Sequence, residues 1–203
     1  MITFKQFLTE DMEQSELFQN IYSRIKEAHN IKYIDGDIDL KDQHLHKLPH
    51  LSEVILHGSL LCSGNNLTNL IGAPKSIERS LFCQDCNLQS LEGCPEYIGG
   101  NFVAMNNSLT SLKYGPKTVS MNFNVKRNRL TNLKYSPESV EGYFNCKNNH
   151  ISNLQFVTEF IGGEFQSDKF SDEEYRKYIT DRKHLKSADT ETQNLFGGII
   201  DTL

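Results

Sequence analysis

Three stretches that begin 21 residues apart decide the fold: FVAMNNSLTSL at 102–112, FNVKRNRLTNL at 123–133 and FNCKNNHISNL at 144–154. Each stretch holds two apolar residues that flank one variable residue, then an asparagine and two aliphatic residues at fixed offsets. The same step of 21 residues continues on both sides, and an earlier copy, offset by 22 residues, holds Ile38 and Leu40. The apolar columns are Leu60, Leu81, Phe102, Phe123, Phe144 and Phe165; Cys62, Cys83, Ala104, Val125, Cys146 and Ser167; Leu67, Leu88, Leu109, Leu130 and Ile151; and Leu70, Leu91, Leu112, Leu133 and Leu154.

This periodicity predicts a solenoid. An apolar residue at every second position predicts a short strand with one buried face. One unit cannot bury its own apolar face, but stacked units form a continuous core. Stacked strands would form a parallel sheet with a spacing of about 4.8 Å.

The repeated unit resembles the leucine-rich repeat in its short bacterial variety, over about 36–167. The resemblance implies an α/β solenoid: a horseshoe with a parallel β-sheet on the concave face, a mostly irregular convex side and helical caps at both ends. It also implies that a column of asparagines points inward and satisfies backbone groups. That column is Asn65, Asn107, Asn128 and Asn149, with Cys86 in one place. The turn glycines are aligned as Gly72, Gly93 and Gly115, with Ser136 in the next unit.

Three regions follow from this pattern: an N-terminal helical cap at 1–33, repeats of 21–22 residues at 34–167, and a C-terminal helical cap and tail at 168–203. Residues 1–30 are predicted to be helical, and Ser171-x-x-Glu174 is a capping box that predicts a helix over 172–184. The apolar face of the N-terminal helix would comprise Leu17, Phe18, Ile21, Tyr22, Ile25 and Ala28.

Composition excludes several classes of protein. The net charge of −5 disfavours a general nucleic-acid binder. A basic group at Lys126, Arg127, Arg129 and Lys147 leaves contact with a phosphate as an alternative.

No stretch reaches the roughly 20 apolar residues of a membrane helix. The first residues lack the apolar run of a secretory signal, so the five cysteines are predicted to be free thiols in a reducing compartment.

Metal and catalytic sites are not predicted. Cys83-x-x-Cys86 with Cys94 nearby could hold a metal, but the repeat places Cys83 in the core and Cys86 in the asparagine column. The histidines His44, His46, His50 and His57 occupy different repeat positions, so they should not converge. No catalytic constellation and no cofactor motif stands out. Some leucine-rich-repeat effectors carry a ubiquitin-ligase domain after their repeats, but here only about 35 residues follow and none is cysteine.

The leading prediction is a non-catalytic module that binds a protein partner through its concave face. Leu61, Phe82, Val103 and Met105 should form an apolar patch on neighbouring strands, and such patches mark interaction sites. The alternative is that residues 186–203 fold over this patch. The candidate protein-binding residues are Leu61, Phe82, Val103, Met105, Asn124, Lys126, Arg127, Tyr143, Asn145 and Lys147.

The first ten residues resemble the capsid-targeting sequence of internal head proteins of large tailed bacteriophages. Leu8-Thr9-Glu10 matches the Leu/Ile-x-Glu signal after which a prohead protease cuts. The resemblance implies a protein packaged in the virion head and delivered to the host cytoplasm, where it binds a bacterial host protein. Two alternatives remain: residues 1–10 are the first turn of the cap, or the protein is a structural or assembly component of the virion with no host target. The sequence does not set the oligomeric state.

Overall fold

The computed structural model describes residues 16–185, and these residues form a parallel β-solenoid. Each central coil contributes two short strands, such as Ser76–Ile77 and Leu81–Phe82, which are separated by the three residues 78–80. The two strands belong to two different sheets. Every coil therefore adds one strand to each sheet.

The first sheet has eight strands, and all its pairings are parallel except the hairpin at its N-terminal edge. Its strands are β1 (Lys26–Ala28), β2 (Ile31–Asp35), β4 (Val54–His57), β6 (Ser76–Ile77), β8 (Tyr97–Ile98), β10 (Thr118–Val119), β12 (Ser139–Val140) and β14 (Phe160–Ile161).

The second sheet has seven strands in parallel register. Its strands are β3 (Ile38–Asp39), β5 (Leu60–Leu61), β7 (Leu81–Phe82), β9 (Phe102–Val103), β11 (Phe123–Asn124), β13 (Phe144–Asn145) and β15 (Phe165–Gln166). Residues of one repeat column pair directly, for example Phe102 with Phe123. The repeat period thus sets the register of the sheet.

The apolar columns fill the space inside the coils. The described members of the four columns are buried, except Ser167. Phe102, Phe123 and Phe144 stack with centroid distances of 5.2 and 4.8 Å, and Phe165 continues the row at 5.8 Å. Burial of each ring contributes about 2–3 kcal/mol and each ring pair about 1 kcal/mol more. This aromatic row links the last four coils.

The asparagine column lies inside the fold and bonds to the backbone. The amide nitrogen of Asn128 donates to Val125 O in its own coil and to Ala104 O in the preceding one, both at 3.0 Å. Its carbonyl oxygen accepts from the Leu109 N–H at 3.0 Å. Asn65, Asn107 and Asn149 make equivalent bonds. Each amide therefore joins two neighbouring coils.

The N-terminal region differs from the predicted helix over 1–30. Helix α1 spans Glu16–Ser23, and Phe18 and Ile21 are buried on its inner side. The prediction is wrong from Arg24 onward, because β1 and β2 form an antiparallel hairpin there. His29 and Asn30 turn the hairpin with φ values of 53° and 62°, which is the conformation of a type I′ turn. The helical spacing of Ile25 and Ala28 is overridden, because β1 pairs with β2 and β2 in turn pairs with β4 of the large sheet.

A second helix, α2, covers 172–185 among the described residues and packs on the last coil. The capping box forms: Glu174 N–H donates to Ser171 Oγ at 3.2 Å, and Ser171 N–H donates to Glu174 Oε2 at 2.7 Å. Tyr175 stacks on Phe165 with a centroid distance of 5.0 Å. The start of α2 thus contacts the edge of the seven-stranded sheet.

Two features of the repeat differ from the expectation. The column Ile77, Ile98, Val119, Val140 and Ile161 forms strands of the eight-stranded sheet, where a mostly irregular side was expected. The alignment of Gly115 with Gly72 and Gly93 is also wrong by one residue. The left-handed turn position is occupied by Gly72, Gly93, Tyr114, Tyr135 and Phe156, with φ values between 65° and 100°.

Candidate protein-binding surface

The outward face of the seven-stranded sheet is formed by the second residue of each strand. The first residue of each strand is buried, whereas the second is half-buried in six strands and exposed in β3. This alternation is the one that the repeat predicts. The position therefore presents a row of side chains to solvent, one per coil.

Three apolar side chains occupy neighbouring places in this row. Leu61 pairs with Phe82, and Phe82 pairs with Val103. Met105 follows on the same face two residues after Val103, and all four side chains are half-buried. Neighbours about 4.8 Å away shield the flanks of each side chain and leave its tip in solvent. We call Leu61, Phe82, Val103 and Met105 the sheet patch.

Gln84 follows Phe82 by two residues and occupies the same repeat position as Met105, one coil earlier. Its side-chain oxygen, Oε1, is buried and has no donor among residues 16–185. A buried acceptor without a donor costs roughly 1–3 kcal/mol. The edge of the sheet patch thus carries an unsatisfied polar atom.

The row becomes polar beyond the sheet patch. Asn124 pairs with Val103 and with Asn145. Both amide oxygens accept the N–H two residues further on, at Lys126 with 3.1 Å and at Lys147 with 3.0 Å. These bonds fix the side chains of Asn124 and Asn145 where the strands end.

Basic side chains follow the two asparagines. Lys126 and Lys147 are half-buried, and Arg127 and Arg129 are exposed. Arg127 lies in the left-handed region with a φ of 55°. At the opposite end of the row, Asp37, Asp39 and Asp42 are exposed, and Asp39 pairs with Lys41 at 3.2 Å. The sheet patch therefore lies between acidic residues around β3 and basic residues that follow β11 and β13, and Asp168 after the last strand, β15, is acidic and exposed.

The position before each strand has a structural role that the sequence did not indicate. Asp37 Oδ1 accepts the Ser59 N–H at 2.7 Å, Ser80 Oγ accepts the Asn101 N–H at 2.9 Å, and Asn122 Oδ1 accepts the Tyr143 N–H at 2.9 Å. Ser80 is buried, although Tyr143 of the same column is a candidate protein-binding residue. Tyr143 is half-buried at the end of this ladder. The side chains of this column thus join neighbouring coils at the bend between the two sheets.

The cysteines near the sheet patch are internal. Cys62 and Cys83 are fully buried, and burial raises their thiol pKa well above the ordinary value. Burial also raises the pKa of Cys146 to about 12. A neutral buried thiol is a poor nucleophile and a poor metal ligand. Cys86 donates its S–H to Cys62 O at 3.0 Å and stays in the asparagine column.

A cluster on the eight-stranded sheet was missed by the sequence analysis. His57 Nδ1 lies 3.0 Å from Asp35 Oδ1, and His57 Nε2 lies 3.6 Å from Glu78 Oε1. Hydrogen bonds from Lys26 and His57 lower the pKa of the Asp35 carboxyl. Asp35 and His57 pair on the adjacent parallel strands β2 and β4, and Glu78 directly follows β6, so only the pairing of strands in the eight-stranded sheet brings them together. Among residues 16–185, no group of three or more His, Cys, Asp or Glu side chains is arranged to hold a metal ion.

The most exposed apolar side chains lie away from the sheet patch. They are Ile31, Ile71, Tyr97, Tyr114, Met121, Tyr135, Phe156, Phe160 and Leu185. The predicted cleavage signal Leu8-Thr9-Glu10 and the tail 186–203 lie outside the described residues.

Comparison with family models, with curated proteins and with solved structures finds no match for this chain. Neither described helix combines the length and the apolar character that a membrane span requires.

Proposed function

We propose that this chain is a non-catalytic interaction module of the leucine-rich-repeat type, which binds a protein partner on the outward face of the seven-stranded sheet. In this proposal the sheet is the concave face of a horseshoe, and α1 and α2 are its caps. The observation that supports it most directly is the in-register row of Leu61, Phe82 and Val103, with Met105 beside it. Apolar side chains flanked by charged ones are the usual anatomy of a protein interface.

The scaffold favours tight binding because it is already ordered. The side chains of the row stand on paired strands, so little conformational entropy is lost when a partner binds. A partner with an apolar centre would cover the sheet patch, and its acidic groups would meet Lys126, Arg127 and Lys147. Asn124, Asn145 and Tyr143 would supply polar contacts between these two regions.

The proposal is tested with purified full-length protein as bait in bacterial lysate. The wild type is compared with a double variant, Phe82→Glu plus Met105→Glu, and captured proteins are identified by mass spectrometry. Affinity for the captured protein is then measured by calorimetry. Two buried carboxylates in an apolar interface should weaken binding at least about 30-fold, which corresponds to roughly 2 kcal/mol.

A matched control carries the same charges at another place. Thr110 and Thr131 are exposed on neighbouring coils outside both sheets, so Thr110→Glu plus Thr131→Glu should bind like the wild type. Circular dichroism must show that both double variants fold. Equal affinity of the wild type and the Phe82/Met105 variant would refute binding at the sheet patch.

The biological setting is a second part of the proposal. We infer from the first ten residues that the protein is packaged in a phage head, trimmed after Glu10 and delivered to the host cytoplasm, where it binds a host protein. Amino-terminal sequencing of protein taken from particles should give a start at Asp11. An intact Met1 in particles would contradict processing. Stoichiometric particle-bound protein with no patch-dependent partner would favour the alternative, a structural or assembly component of the virion.

A further inference from the structure

A second apolar surface lies at the turn that precedes the eight-stranded sheet. Tyr114, Tyr135 and Phe156 occupy one repeat column in successive coils, and we call them the aromatic strip. Their exposed fractions are 52%, 49% and 48%. About half of the surface of each residue is therefore in contact with solvent.

The backbone of the aromatic strip is in an unfavourable conformation. Tyr114, Tyr135 and Phe156 have φ values of 67°, 69° and 65°. A left-handed conformation costs a residue with a Cβ roughly 1–2 kcal/mol, whereas glycine adopts it freely. Gly72 and Gly93 occupy this position in the two preceding coils. Glycine would avoid this local cost, and a contact that covers the rings would offset it.

A groove of about 450 Å³ lies beside the two tyrosines. Cys94, Gly115 and Ser136 contribute to its lining, and Glu96, Lys117 and Glu138 form its charged side. Lys113 Nζ lies 4.6 Å from the ring centroid of Tyr114, and Lys134 Nζ lies 5.1 Å from that of Tyr135. The ring of each tyrosine thus lies close to the ammonium group of the lysine that precedes it in the chain.

The described chain ends close to the aromatic strip. Arg182 of α2 contacts Glu159, which follows Phe156 by three residues, and lies over the ring of Tyr178. Leu185 is 68% exposed at the last described position. Two coil spacings separate Phe156 from Tyr114, or roughly 10 Å. The following 18 residues could span up to about 60 Å when extended, so length does not limit contact.

We infer that the segment 195–200 of this chain docks on the aromatic strip. Its apolar residues are Leu195, Phe196, Ile199 and Ile200. The flanking acids Asp189, Glu191 and Asp201 complement Lys113 and Lys134 in charge. The sheet patch is a poorer place for the same segment, because it lies on earlier coils and its side chains are less exposed.

Docking within one chain also accounts for the strained turns. A segment joined by a short linker is present at an effective concentration in the millimolar range, so weak contacts suffice. Burial of the exposed surface of three aromatic side chains supplies free energy that glycine could not. This inference does not depend on the proposed function, since it concerns another face of the molecule.

The test uses the absence of tryptophan from the chain. Phe196→Trp in the full-length protein places one fluorescent reporter in the segment. Its emission and its quenching by acrylamide are measured in three backgrounds: otherwise wild type, Tyr114→Gly plus Tyr135→Gly plus Phe156→Gly, and Phe82→Glu plus Met105→Glu. Glycine is the natural occupant of this turn in earlier coils, so the triple variant should fold.

The inference expects a blue-shifted, protected tryptophan in the wild-type and Phe82/Met105 backgrounds. In the triple-glycine background the emission should move to that of free tryptophan, and quenching should rise several-fold. Lys113→Glu plus Lys134→Glu, which keeps the rings, should also weaken protection, and more strongly at low salt.

Three results would overturn the inference. The first is free-tryptophan emission in every background. The second is a blue shift that disappears on dilution, because a second copy would then supply the segment. The third is loss of protection only with the Phe82/Met105 changes, which would place the segment over the sheet patch. Only that third result would also count against the proposed function.

Discussion

At the scale of single residues, the asparagine column determines how firmly neighbouring coils are joined. Each asparagine donates to two backbone carbonyls and accepts backbone N–H groups of the coil before it. Cys86 breaks the column. Its thiol donates to Cys62 O and Gln84 O, but sulfur is a weak acceptor for the N–H groups of the preceding coil. The joint between the coils of Asn65 and Cys86 should therefore be the weakest in the column.

Cys86→Asn is expected to stabilise the protein. The new amide oxygen would accept N–H groups near Leu67, as Asn107 accepts those of Cys86 and Leu88 at 3.0 and 2.9 Å. A gain of about 1 kcal/mol is the expected size for one additional buried hydrogen bond. Urea unfolding measured by circular dichroism gives the change in free energy of unfolding.

The reverse substitution serves as its control. Asn128→Cys should lose about 1–2 kcal/mol, because Leu109 N–H and Ala104 O lose their partner in a buried place. A stabilised Asn128→Cys, or a destabilised Cys86→Asn, would contradict this view of the column.

At the scale of elements, the start of α2 closes the end of the seven-stranded sheet. Asp172 Oδ1 accepts the Phe165 N–H at 2.8 Å, and Arg176 Nη2 donates to Gly163 O at 2.8 Å. In the inner strands, the next coil supplies the partners of the equivalent backbone groups. At this end of the sheet, the helix supplies them. An open strand edge invites pairing with another chain, so the helix also prevents growth of the sheet.

The capping box of α2 should make stability depend on acid. Hydrogen bonds from the Ser171 backbone and side chain lower the pKa of the Glu174 carboxyl from its ordinary 4.5. A lowered folded-state pKa stabilises the protein above the unfolded-state pKa, and that part is lost as the pH falls below about 4.5. Thermal midpoints of the wild type and Glu174→Gln should differ at pH 7 and converge at pH 3.

Ser171→Ala gives an independent measure of the same cap. Removal of the hydroxyl that accepts the Glu174 N–H should cost about 1 kcal/mol at neutral pH. If Glu174→Gln matched the wild type at pH 7, the carboxylate would have no part in the cap.

The elements show where the sequence was sufficient and where it was not. The seven-stranded sheet followed from columns in which Phe123 and Val125 alternate with exposed residues. The eight-stranded sheet did not, because a strand such as Ser139–Val140 supplies only one buried apolar residue per coil and offers no alternation. The hairpin after α1 was missed because Ile25 and Ala28 keep helical spacing, while its turn depends on His29 and Asn30.

The same limit applies to the candidate sites. Leu61, Phe82 and Val103 could be placed on one face because register alone decides it. The aromatic strip could not, because Gly115 suggested a glycine turn one residue away from Tyr114. A strict step of 21 residues from Gly93 falls on Tyr114, and the backbone dihedral angles agree with that alignment. The cluster at His57 required the pairing of strands that the sequence did not predict.

At the scale of the whole molecule, each coil contacts chiefly its two neighbours. Stability is then close to a sum of coil and interface contributions. Deletion of residues 106–126 joins Met105 to Arg127 and removes one complete coil in register. The shortened chain should fold. Its m-value, the slope of the free energy of unfolding against urea concentration, should fall by roughly a tenth, in proportion to the residues removed.

A shorter deletion provides the contrast. Removal of residues 106–116 leaves a coil about half as long, too short to pass around the core, and should abolish cooperative unfolding. If both deletions folded equally well, the coils would not be the units of stability.

The constant register has a geometric consequence: equivalent residues are spaced at equal intervals along the solenoid. Any two residues of one column are separated by a whole number of strand spacings, each about 4.8 Å. The double substitution Phe82→Val plus Val103→Phe would move the largest apolar side chain by one strand spacing without altering the backbone. A binding footprint on this scaffold can therefore be shifted in fixed steps by exchanging side chains 21 residues apart.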